Sequence, residues 1–338
     1  AFYQILGQYS HAFDYYEQAL AIRREIGDRS GEGVTLNNIG AACRNLGRYV
    51  QALENHKQAL VIRREIGDRA GKGVILNNIG GIYDDLGQYQ QALEYYEQAL
   101  VISREIGDRP GEGGTLKNIG YALLEINQLL AAEAHFAQSL SVLELIRDKE
   151  LNDESKVALF ETQSQTYRGL QQTLIAQGKK ELALETSERG RSKALIELLE
   201  DRLLDNKDTT IEREPLNFVA LQTVAQSQQS TLVEYSIVDT RVGNPTLYIW
   251  VIASDGTLTF RQVDLTNIAL FDLVASSRDA IGARSRATIA AVPTAAARQQ
   301  QQADLKQLHQ LLIDPIADFL PTNPNQPVVF IPQDELFL

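Results

Sequence analysis

Cys43 and His56 lie on facing helix stripes and are of the types that together make a cysteine nucleophile. An imidazole that takes the proton of a neighbouring thiol is how many cysteine nucleophiles are activated. The chain has one cysteine and four histidines, which leaves little choice of partners. Stacked in rows of 40, however, Cys43 shares a column with Tyr83 and Leu123, and His56 one with Tyr16, Tyr96 and Phe136. Those are packing residues, and a free cysteine is among the most buried residue types. A core role is therefore expected for both. His11 and His135 fall in variable columns and His309 lies in a helical stretch, "LKQLHQLLI". No two histidines have ligand spacing, so no metal site, no cofactor and no catalytic residue is expected.

The elements that must position these residues are written in a repeated word. "EIGDR" stands at residues 25–29, 65–69 and 105–109. Around it run the rows "LNNIGAACRNLGRYVQALENHKQALVIRREIGDR", "LNNIGGIYDDLGQYQQALEYYEQALVISREIGDR" and "LKNIGYALLEINQLLAAEAHFAQSLSVLELIRDK". Within a row, Leu36, Ile39, Gly40, Cys43 and Leu46 trace one face of a helix. Gly47 breaks it, and Tyr49, Ala52, Leu53, His56, Ala59 and Leu60 trace a second. Small residues recur where two helices must approach: Gly40, Gly80, Gly120 and Ala52, Ala92, Ala132. A helical hairpin of this size cannot bury its apolar face alone, so neighbours must stack into a solenoid. "EIGDR" is then the joint between hairpins. Ile26 ends a helix, Gly27 takes the left-handed position after it, and Asp28 caps the next. Pro110 replaces Ser30 and Ala70 at an early helical position, where a missing N–H costs little. Glu25 and Arg29 are placed to pair, a contact worth about 0–1 kcal/mol when exposed.

Composition excludes several classes of function. The net charge is −12, which argues against nucleic acid, whose phosphates require clustered Lys and Arg. No stretch approaches the ~20 apolar residues of a membrane span, and no secretory leader pattern opens the sequence. One cysteine forbids an internal disulfide and fits a reducing compartment, so a cytoplasmic location is expected. The sequence contains no methionine and opens mid-pattern on "AFYQILGQYS", which reads as a fragment.

The columns "N-[IL]-G…L-G-x-Y…A-L-x-x-Y/H…A-L" over residues 1–146 resemble the tetratricopeptide repeat (TPR), in the longer form common in bacterial regulators and kinesin-light-chain-like proteins. A degenerate hairpin follows at 154–189, where "AQGKKELALETSE" echoes "DLGQYQQALEYYE", as in a terminal capping repeat. The resemblance implies that the first helix of each row lines a concave groove and that an Asn in the column of Asn38, Asn78 and Asn118 grips the backbone of a protein or peptide ligand. A side-chain amide suits that task because it both donates and accepts. The groove stripe is Asn37, Asn38, Arg44, Asn77, Asn78, Asp84, Asp85, Asn118 and Tyr121, with Ala41, Asn45, Gly81, Lys117, Leu124 and Glu125 beside them. Its acidic members favour a basic or neutral peptide. A merely solvated helix face is the competing reading.

From residue 183, "ALETSERGRSKALIELLEDRLL" reads as an amphipathic helix, after which the periodicity changes. "STLVEYSIV", "TLYIWVIAS" and "TLTFRQVDL" read as strands, with turns at "VGNP" and "SDG". "NIALFDLVASSRDAIGA" reads as a helix, "AVPTAAARQQQQ" as a connector, and "QADLKQLHQLLIDPIADFL" as a helix entering near Ala303 and interrupted at Pro315. "VVFIP" reads as a buried parallel strand. The blocks 188–199, 232–265 and 308–338 resemble, in order and spacing, the N-terminal part of a CHAT domain, a caspase-like domain found behind TPR arrays. The turn at Gln333, Asp334 and Glu335 departs from the glycine-containing turn usual there. The expected fold is thus an all-α TPR superhelical solenoid (1–146), capping and junction helices (147–204), and an incomplete α/β caspase-like sandwich (205–338). The resemblance implies a parent that is a partner-regulated cysteine endopeptidase. Its His and Cys motifs have no counterpart here, so this chain is expected to be inert. The alternative is a non-catalytic scaffold with a degenerate CHAT domain.

Overall fold

The computed structural model describes residues 9–146, 153–203, 217–238, 245–280, 295–332 and 336. They divide into two compact units, Ala1–Gln177 and Gly178–Leu338. The first unit is helical throughout its described residues. Its helices are α1 (Tyr9–Glu25), α2 (Arg29–Asn45), α3 (Tyr49–Glu65), α4 (Arg69–Asp85), α5 (Tyr89–Ile106), α6 (Arg109–Glu125), α7 (Leu129–Leu143) and α8 (Asp153–Ala176). Pairs α2–α3, α4–α5 and α6–α7 are the three expected hairpins, turning at Gly47, Gly87 and Asn127. Gly47 and Gly87 have φ of +71° and +70°, and Asn127 takes the same left-handed conformation at +58°. Asparagine is one of the few side chains that tolerate this region.

Small residues sit where the columns require them. Leu36, Ile39, Cys43, Leu76, Ile79 and Ile82 are buried in one continuous core with Ala52, Ala59 and Leu60. A Cβ added at Gly40 would lie 2.7 Å from the His56 ring, at Gly80 2.7 Å from Tyr96, and at Gly120 2.8 Å from Phe136. Each ring of a second helix thus lies close against the glycine of the first, which is why the first helix spares a side chain there.

The joints between hairpins carry more than their caps. Asp28, Asp68 and Asp108 accept from the backbone N–H of Gly31, Gly71 and Gly111 at 2.8, 2.8 and 3.0 Å, as expected of N-caps. The expected Glu25–Arg29 pair is not what Arg29 makes. Arg29 bonds Glu32 through Nη1 and Glu65 of the next joint through Nη2, and Arg69 likewise bonds Glu105. Stacking sets Arg29 beside the carboxylate one joint on, so the repeated word links neighbouring repeats as well as ending helices. Glu32 is held below the usual carboxylate range by its bond from Arg24. For Glu112 burial acts the other way, but the bonds from Arg104 and Arg109 prevail and its pKa is also lowered.

In the second unit, α9 (Lys180–Leu203) follows Gly178, whose φ is +77°. Next come α10 (Phe218–Ser227), β1 (Thr231–Val238), β2 (Thr246–Ile252), β3 (Leu258–Asp264), α11 (Leu270–Ala280), α12 (Ala295–Leu312), a 3-10 helix (Asp314–Phe319) and β4 (Val328–Ile331). The sheet order is β3-β2-β1-β4, antiparallel between the first three and parallel between β1 and β4. One face of the sheet packs Val233, Tyr235, Leu247, Ile249 and Val251 against Leu270, Leu273 and Val274 of α11, Leu311 of α12 and Ile316. On the other face, the Trp250 indole N–H donates to the Lys180 carbonyl at 3.1 Å. Beside it Glu234 of β1 meets Arg191 of α9 at 3.9 Å, and burial pushes the Glu234 carboxyl up to about 7 against the pull of that arginine. With both faces covered, β1 is buried almost throughout, the pattern of a central strand.

Three expectations need correction here. β4 is parallel as read, but it lies at the sheet edge, with Val329 and Phe330 40% and 45% exposed. The run "AAARQQQQ" belongs to α12, which begins at Ala295 rather than near Ala303, because Ala, Arg and Gln are all good helix formers. Helix α10 has no counterpart in the sequence reading. Its signals are Asn217, which caps Ala220 N–H at 2.9 Å, and Phe218, Leu221 and Ala225 on one buried face. Residues 242–244 of the "VGNP" turn, 281–283 and 291–294, and Gln333, Asp334 and Glu335 lie outside the described residues.

Candidate functional site

The stripe of first helices is a hydrogen-bonded layer running from repeat to repeat. Asn78 Nδ2 of α4 donates to Asn37 Oδ1 of α2 at 3.1 Å. Asn118 Nδ2 of α6 donates to Asn77 Oδ1 of α4 at 3.1 Å, and Thr115 Oγ1 approaches the same oxygen at 3.3 Å. The two adjacent asparagine columns therefore form a ladder, the second of one repeat reaching back to the first of the repeat before. Asn38, the earliest in its column, is half-buried. Farther along α2, Arg44 grips Asp85 of α4 with two nitrogens, Nε to Oδ2 at 2.5 Å and Nη2 to Oδ1 at 2.8 Å. Such a fork fixes orientation as well as distance. The Arg44 guanidinium lies over Gly81, where a Cβ would stand 2.7 Å from Nη1.

Two of the sequence-derived stripe residues lie inside. Asp84 is 6% and Tyr121 5% exposed. The Tyr121 hydroxyl donates to the Gln165 carbonyl of α8 at 2.6 Å, and its ring meets Phe136 edge-on at 5.0 Å. Helix α8 packs over the end of the layer and draws in Lys117 as well, whose Nζ donates to Gln165 Oε1 at 2.6 Å. The residues brought together on the accessible stripe are thus Asn37, Asn38, Asn77, Asn78, Asn118, Arg44 and Asp85. Val34 and Val74, one turn before Asn38 and Asn78, are exposed and add apolar contacts that column reading overlooked. Their signal was the same period-40 register, at i−4 from each asparagine.

The thiol and the imidazole are placed for packing. Cys43 is buried, and burial pushes its pKa up. His56 is 0% exposed, neither ring nitrogen has a hydrogen-bond partner, and burial, reinforced by the Arg44 charge, lowers its pKa to about 4. Both shifts disfavour the thiolate–imidazolium pair that nucleophilic catalysis needs. His309 is exposed and pairs with Asp314 at 2.9 Å. Among the described residues no group of His, Cys, Asp and Glu is arranged to hold a metal ion, and no helix is long and apolar enough to cross a membrane.

Antiparallel helical hairpins stacked at a fixed period define a helical repeat protein of the solenoid class. The particular kind follows from comparison: residues 1–65 and 71–144 match the family profile of the tetratricopeptide repeat, and this part of the chain is a TPR array. The chain is 27% identical to tetratricopeptide repeat protein 28 of Mus musculus over 43% of its residues, and 29% identical to the Homo sapiens protein of the same name over 33%. The matched segments span 7% and 4% of those relatives' own lengths. Among solved structures, BtubC (BKLC) from P. vanneervenii superposes with a TM-score of 0.50 at 19% identity, covering 63% of this chain and 82% of that one. At that identity the likeness speaks for the fold.

Proposed function

We propose that the TPR array binds an extended segment of a partner protein along the stripe of Asn37, Asn38, Asn77, Asn78 and Asn118, in the concave groove that TPR arrays present. The observation that carries this reading is the asparagine ladder: amides repeated at one pair of columns, flanked by exposed Val34 and Val74. Amide edges match a peptide backbone, and the valines one turn away suit apolar side chains. Arg44 is neutralised by Asp85, so a neutral or basic segment fits better than an acidic one. We further propose the partition of repeats at 1–146, capping and junction helices at 147–204 and the N-terminal part of a CHAT domain at 205–338. The mixed sheet flanked by helices supports that assignment. On this reading the parent is a partner-regulated cysteine endopeptidase whose array recruits substrate or regulator. The described residues themselves offer no thiol–imidazole pair for the chemistry.

A peptide selected from a display library on the whole chain tests the groove. Asn78→Ala together with Asn118→Ala is expected to weaken its binding at least tenfold while far-UV circular dichroism stays unchanged. Each lost amide bond should lower stability by about 1 kcal/mol. A peptide bound equally well by the double variant, or an array melted by it, would leave these asparagines a purely structural role.

A further inference from the structure

The three joints keep the same pair of arginines, Arg24 and Arg29, Arg64 and Arg69, Arg104 and Arg109, but differ in the residue three positions after the second. In the first, Arg24 Nε and Arg29 Nη1 clamp the two oxygens of Glu32 at 2.9 and 2.7 Å. In the third, Arg104 Nε and Arg109 Nη1 clamp Glu112 at 2.8 Å each. Both carboxylates are nearly buried, at 7% and 5% exposure. The middle joint keeps both arginines, as Arg64 and Arg69, but holds Lys72 where the others hold glutamate. Arg69 is tethered as Arg29 is, Nη2 on Glu105 corresponding to Nη2 on Glu65. Its Nη1, the nitrogen that Arg29 turns onto Glu32, meets no carboxylate among the described residues. Neither Arg64 nor Lys72 forms an ion pair among those residues either.

A fourth cation borders the same turn. Arg63 is 8% exposed and bonds Asp68 through Nη1 at 2.8 Å, but its buried Nε has no hydrogen-bond partner. That nitrogen lies against Gly71, adjacent to Lys72, where an added Cβ would be 2.7 Å away. The carboxylates beside Arg63, Arg64, Arg69 and Lys72 are Glu65, Asp68 and Glu105, each already engaged, by Arg29, Arg63 and Arg69 in turn. In a chain of net charge −12, this is a clamp whose carboxylate is missing.

We propose that the middle joint is a binding site for a carboxylate carried by an acidic segment of a partner protein, which takes the place that Glu32 and Glu112 fill in the flanking joints. The flanking clamps show the geometry the bound group would adopt. It is a two-oxygen fork, which a carboxylate fits with both oxygens in one plane. The site lies at the hairpin joints, apart from the asparagine stripe, and does not rest on peptide binding there.

The probe is a fluorescein-labelled peptide of alternating Gly and Glu with blocked termini, titrated against the whole chain by anisotropy beside its Gly-Gln counterpart. The Glu peptide should bind at least tenfold more tightly than the Gln peptide and weaken as salt is added. Lys72→Glu should abolish that preference while keeping or raising the melting temperature, because it rebuilds the internal clamp of the neighbouring joints. Arg64→Gln should weaken the Glu peptide without touching the fold. Equal binding of the two peptides, or full binding retained by folded Lys72→Glu, would overturn the proposal. Displacement by inorganic phosphate at lower concentration than by acetate would overturn the carboxylate assignment.

Discussion

His56 is the side chain most at odds with its surroundings. A neutral imidazole, wholly buried with both nitrogens unpartnered, sits where the other repeats use Tyr96 and Phe136. Its folded pKa of about 4 lies below the ordinary value of 6.5. The unfolded chain therefore takes up a proton first as pH falls, and stability is lost between about pH 6.5 and 4. At ~1.4 kcal/mol per pH unit the whole loss is roughly 3 kcal/mol at most. His56→Phe should remove this component, since Phe136 already packs on Gly120 in the same way. Urea unfolding of both proteins at pH 7 and pH 4.5 checks it. Equal losses on acidification would mean that His56 is protonated, or hydrated, in the folded state. That His56 packs could be read from its column; that nothing satisfies it could not, because the sequence does not show which polar groups the stacked helices withhold.

The joints and turns mark how far helices were legible at the scale of elements. The turns at Gly47, Gly87 and Asn127 were visible, because glycine and cap residues obey local rules. Asn127 is the informative case, holding φ +58° where Gly47 and Gly87 hold +71° and +70°. Asn127→Ala should cost about 1 kcal/mol through the left-handed backbone, and Asn127→Gly should cost nothing or stabilise slightly, both measured by thermal melting. An alanine variant as stable as the parent would show that the turn can refold in another conformation. The bonds that tie elements together were not legible. Arg29–Glu65, Arg44–Asp85 and Asn37–Asn78 span 36 to 41 residues, and which column meets which depends on the stacking offset, not on local pattern. The same limit hid α10 and the edge position of β4. Asn217, Phe218, Leu221 and Ala225 offered a short helix signal, and an apolar tetrad alone cannot say which strand stands outermost.

At the scale of the molecule, two units have separate cores with separate reporters. Leu76 is 1% exposed in the core of the array, whereas the chain's one tryptophan, Trp250, is buried in β2 of the second unit. A charge at Leu76 has no partner there, and burying an unpaired carboxylate is strongly destabilising. In a stacked array each repeat also depends on its neighbours, so damage at α4 weakens the contacts with α2 and α6 on both sides. Leu76→Asp should therefore lower the temperature at which helical circular dichroism is lost by well over ten degrees. Trp250 fluorescence should keep its own transition within a few degrees of the parent, because the sheet packs on α9, α11 and α12 and draws nothing from the Leu76 cluster. A Trp250 transition that falls together with the helical one would show that the two units unfold as a single cooperative body, and that the stability of the sheet is set by the array.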